Sequence, residues 1–158
     1  TIIPMITHDQ LDQTIANFEH DLKIVDAAFE ALENSHQILI DILAGTHASL
    51  LTDDEMDYCL FLFAIIYHTV SKYRALPELD EAFIVKVEES VWEFINDHKD
   101  FETCIDHYLN QSEEKDLYEF IELSIGPSDD QDIAISDTGR IIMLAILVAE
   151  VKCLLETN

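Results

Sequence analysis

Positive charge is what this chain has least of. Of its 158 residues only 8 are lysine or arginine, against 33 aspartates and glutamates, which gives a formal charge of −25 and an isoelectric point near 4.2. A polyanion repels phosphate backbones and acidic headgroups, so ordinary DNA or RNA binding and docking to an anionic membrane through a basic patch are excluded. Glycine and proline are scarce as well, three of each, and no two glycines lie within ten residues of one another. Gly-rich phosphate cradles are thereby excluded. So few chain-breaking residues imply long helices joined by short connections.

Long hydrophobic runs are missing. The two longest, 59–67 and 141–149, have nine residues each, where a membrane span needs roughly 20. The apolar stretch from Thr1 to Ile6 carries no lysine or arginine, so it does not read as a signal peptide. The three cysteines, Cys59, Cys104 and Cys153, are an odd number, and each sits in an apolar helical pattern. They are expected to be free, buried thiols in a reducing, cytoplasmic setting. There is no G-x-S-x-G, and no histidine is spaced from a serine or cysteine in a way that specifies a nucleophilic dyad.

What is present is a hydrophobic share of 49%, with carboxylates spread along the whole chain rather than gathered in a tail. That composition buries a core, so the chain is read as one folded domain, 1–158. No stretch alternates apolar and polar residues as a half-buried strand would. The expected fold is all-α, a compact bundle of six or seven helices with two central apolar helices at about 53–74 and 137–156.

Thr7 with Gln10, and Thr52 with Glu55, form capping boxes at two helix starts. After the first, Leu11, Ile15, Phe18, Leu22, Val25, Phe29 and Leu32 alternate steps of four and three, a heptad seam that would suit a homodimer. A single helix over 7–43 would be about 55 Å long. The alternative is a break at Asn34-Ser35, both good helix initiators. Further helices are expected at about 78–98, at 100–109, and after Ser112, which is positioned to cap the next one before Gly126-Pro127 stops it.

Candidate chemistry follows the acids. Glu33-x-x-His36 has the spacing of one half of a ferritin-like di-metal site, but no second such motif is present. Glu88, Glu89, Glu93 and Asp97 stand at helical spacing and suggest a divalent-metal-dependent nucleotide hydrolase, although the paired motifs of the all-α pyrophosphohydrolases are absent. Asp129, Asp130 and Asp132 offer hard oxygens without the glycine and distal glutamate of an EF-hand, and Cys104-x-x-His107 is half of a zinc motif. About ten carboxylates lie near helix starts, where the helix dipole accounts for them. The remainder, with Glu19, Asp26, Glu30, Glu33, Glu88, Glu89, Glu93 and Asp97 as the leading candidates, points to a non-enzymatic protein that binds a basic protein partner and takes no cofactor. An inhibitor or immunity-type protein would work in this way.

Overall fold

The computed structural model describes residues 5–128 and 133–156. Among these there are seven α-helices and no strand: α1 (His8–His20), α2 (Leu22–Leu43), α3 (Asp53–Tyr73), α4 (Glu81–His98), α5 (Phe101–Gln111), α6 (Lys115–Ile125) and α7 (Asp137–Leu155). An additional 3₁₀ segment, Gly45–Leu50, links α2 to α3 and was not anticipated.

The core forms around α7. Every residue from Ile142 to Leu154 except Lys152 is buried, and α7 packs against α4, α3, α6, α5 and α2. The all-round apolar pattern leaves no polar face to turn outward, so neighbours enclose it. The inner part of α3 is buried in the same way from Leu62 to Tyr67, and the two expected central helices pack on each other. α4 lies along α7 with Ile84, Val91 and Ile95 buried, at helical spacing along one face.

The N-terminal seam is interrupted in two places. At Asp21 the backbone is extended (φ −145°, ψ 107°), and its carboxylate accepts the Lys23 N–H at 2.9 Å, so it closes α1 and caps α2. Residue 22 thus becomes the first residue of a new helix, and Leu22 stands 75% exposed. The second interruption is a kink at His36 (φ −144°, ψ 44°), next to the expected break at Asn34-Ser35. Its imidazole fixes the kink: Nε2 meets the Pro77 carbonyl at 3.1 Å and Nδ1 the Tyr67 hydroxyl at 2.6 Å. A carbonyl only accepts, so Nε2 carries a proton, and in the neutral ring Nδ1 accepts from Tyr67. Leu11, Phe18 and Leu32 are buried in the protein's own core, while Ile15, Val25 and Phe29 pack against it half-buried. Of the seven positions of the heptad seam, Leu22 alone is exposed.

Two more boundaries differ from expectation. Asp80 is the N-cap of α4, accepting from Phe83 N–H at 2.8 Å, so Glu78 lies ahead of the helix. Ser112 does not cap α6; the helix starts after Glu114, which is buried and has another task. Its two oxygens accept the Ile6 N–H at 3.0 Å and the Arg74 guanidinium at 3.3 Å, clasping the N-terminal segment and the end of α3 to the start of α6. Burial pushes this carboxyl up, and the Ile6 N–H and Arg74 offset part of that rise.

The capping boxes are present at Thr7–Gln10 and Thr52–Glu55. Glu55 does more than cap α3. One oxygen accepts the Thr52 N–H at 3.0 Å, and the other accepts both the Ser136 N–H at 2.8 Å and its hydroxyl at 2.9 Å, where α7 begins. Gly139 is pressed against this carboxylate, and a Cβ there would overlap it. The N-termini of the two central helices are therefore joined through one buried acid.

Candidate functional site

The carboxylates singled out in the sequence separate into groups once the helices are placed. Asp26, Glu30 and Glu33 are exposed and follow one another by four and three residues along one face of α2, with Glu19 exposed near the end of α1. Glu89, Glu93 and Asp97 are exposed along α4 at steps of four. Glu88 does not belong with them. It falls between Ile84, Val91 and Ile95 on the buried stripe of α4, its side chain is only 16% exposed, and it faces His47 of the 3₁₀ segment at 3.6 Å. Burial raises the Glu88 carboxyl, with Glu89 adding to the rise, and burial lowers the His47 imidazole.

The carboxylates that converge are others. Glu102 and Asp106, one turn apart on α5, meet Glu122 of α6, and an oxygen of each lies within 4.8 Å of the other two. Glu102 and Asp106 are exposed and Glu122 is half-buried. Burial raises the Glu122 carboxyl first, and then Glu102, Asp106 and Glu119 raise it further, so every charge acting on it has its own sign. Among the described residues this is the only group of three or more potential ligand side chains at metal-binding separation. Glu88, Glu89, Glu93 and Asp97 do not form one. The sequence did hold a trace of the trio, an i, i+4 pair of acids on one short helix and an i, i+3 pair, Glu119 and Glu122, on the next. It held nothing to say that the two helices bring those faces together.

Glu33 is exposed and His36 has both ring nitrogens engaged, so the Glu33-x-x-His36 pair is not arranged to ligate a metal. His107 stacks on Phe94 with ring centroids 3.9 Å apart, while Cys104 is buried in the core. The Asp129, Asp130 and Asp132 loop lies outside the described residues. All three cysteines are free and buried. Burial, then Glu150, pushes the Cys59 thiol far up; Cys153 is pushed to about 12 by burial, then Glu150 and Glu88. Neither thiol is a nucleophile at neutral pH.

Two clefts open on one side of the bundle, of about 470 and 340 Å³, and share Lys99, Asp137 and Ile141. Among the described residues no helix is long and apolar enough to cross a membrane. No family model, curated protein or solved structure matches the chain. The functional reading therefore rests on its surface and its geometry.

Proposed function

We propose that this protein is a non-enzymatic module that binds a basic protein partner, in the manner of an inhibitor or immunity protein. The observation that carries the reading is the convergence of Glu102, Asp106 and Glu122 under charges of their own sign. Such an arrangement costs the free protein stability and is relieved when a cation approaches. The acid rows Asp26, Glu30, Glu33 and Glu89, Glu93, Asp97 extend the same field over α2 and α4.

The test compares wild type with the triple variant Glu102→Gln, Asp106→Asn, Glu122→Gln. The variant should melt higher, because repulsion is removed, and should capture less of a basic partner from native lysate. Capture by the wild type should fall steeply as NaCl is raised. A partner that is not basic, or capture indifferent to ionic strength, overturns the proposal.

The 4.8 Å convergence also favours a second reading, a hard divalent cation held by the same three carboxylates, as the metal-dependent hydrolase alternative requires. Micromolar Ca²⁺, Mg²⁺ or Mn²⁺ would then raise the melting temperature well beyond NaCl of equal ionic strength, and the triple variant would lose the shift. Equal shifts for salt and metal would leave only screening.

A further inference from the structure

The larger cleft lies between the 3₁₀ segment, α4 and the first turns of α7. Leu50, Trp92, Ile95, Ile141 and Ile142 make its apolar lining, and Leu50 is 62% exposed at its edge. Leu50 is exposed, Trp92 and Ile141 are half-buried, and Ile95 and Ile142 belong to the buried core, so the cleft has an apolar floor with one open apolar edge. Trp92 is the chain's single tryptophan. It is half-buried and its ring meets that of His47 at a tilt of 47°, with centroids 4.8 Å apart. It is thus held as a firm wall rather than a loose side chain.

The border of this cleft is acidic. Glu89 precedes Trp92 by three residues and Glu93 precedes Asn96 by three, so each is the helix-surface neighbour of a lining residue, and both are exposed. Across the cleft the Asp137 side chain is fully exposed at the start of α7, with one oxygen 3.4 Å from the Arg140 guanidinium. Lys99 lines one end, placed there by a left-handed turn (φ 57°) that closes α4. A second copy of this chain would bring −25 against −25, so charge disfavours self-association through the cleft. An apolar floor bordered by three carboxylates complements an apolar side chain with cations on either side of it.

Resting on the proposal of a basic partner, we propose that the Trp92 cleft is where that partner docks, receiving a large apolar side chain flanked by lysine or arginine. The acidic border steers and orients the segment, and burial of the apolar side chain against Trp92, Leu50 and Ile141 supplies specificity. The wider carboxylate field of α2, α5 and α6 contributes to the rate of encounter.

Trp92 itself reports the event. Two synthetic peptides serve as probes, an amphipathic lysine–leucine helix and its lysine–alanine counterpart of equal charge, titrated into the full chain at low and at moderate NaCl. The leucine peptide is expected to shift Trp92 emission saturably and to bind at least roughly tenfold more tightly than the alanine peptide. Leu50→Ser is exposed enough to leave the fold intact and should weaken the leucine peptide by about tenfold, with little effect on the alanine one. Glu89→Gln with Glu93→Gln should weaken both and reduce the salt dependence, while Glu102→Gln with Asp106→Asn leaves the leucine-to-alanine ratio unchanged. Equal affinities for the two peptides, or indifference to Leu50→Ser, would overturn the cleft and leave the basic-partner reading standing. Absence of binding by either peptide at low salt would overturn both.

Discussion

Glu150 lies in the middle of α7, completely buried, and neither of its oxygens has a hydrogen-bond partner among the described residues. Cys59 and Tyr67 of α3 and Cys153 one turn on are raised in pKa first by their own burial, and a charge on Glu150 would raise them further. A bare carboxylate in such a place is expensive, so burial pushes the Glu150 pKa well up and the folded protein retains the proton. Because the folded state holds the proton more tightly than the unfolded chain, full stability exists below the ordinary glutamate range and declines as pH rises above it. Glu150→Leu should accordingly stabilise by roughly 1–3 kcal/mol at pH 8 and by much less at pH 4. Denaturant melts across that range check this; a gain independent of pH would mean that packing, not proton binding, is responsible.

Glu55 behaves oppositely. Burial alone would raise it, but the backbone N–H groups of Thr52 and Ser136 and their hydroxyls outweigh burial, and its pKa is lowered. Its contribution is present above the unfolded glutamate pKa and is lost as pH falls through the lowered folded value. Glu55→Gln should cost about 1–3 kcal/mol at pH 7, with the difference from wild type shrinking toward pH 2. Gly139→Ala, which drives a methyl into the same carboxylate, should be destabilising at both ends of that range by chemical denaturation.

At the scale of elements, local signals were legible where a single turn contains the whole instruction. The two capping boxes need only a few residues each, and the burial of α3 and α7 follows from their having no polar face. The Asp21 break was not legible, because the apolar positions on either side keep heptad spacing through it. A 55 Å rod does not fit a compact chain of this length, and the cap at Asp21 is where the chain turns. Asp21→Ala should therefore destabilise the protein by about 1 kcal/mol in a thermal or urea melt. Leu22→Asp, at an exposed position, should leave the melting temperature unchanged, and the light-scattering mass as well; a fall in mass would mean that the chain pairs through this seam.

For the whole molecule the governing quantity is −25. Self-repulsion of that size predicts that the melting temperature rises as NaCl is added over the low-salt range and then levels as the charges are screened. A flat response would mean that the carboxylates are too far apart to interact. The sequence by itself determined this charge, the helical class and the identity of the two central helices, because composition and helical periodicity act within one segment. Only the tertiary structure decided which carboxylates meet. It turned Glu88 toward His47 of the 3₁₀ segment, made Glu114 and Glu55 internal clasps, and set Glu102 and Asp106 against Glu122. The physical reason is that a side chain's direction is fixed by its own helix, whereas its neighbours are fixed by how the helices cross, and no local pattern encodes that crossing.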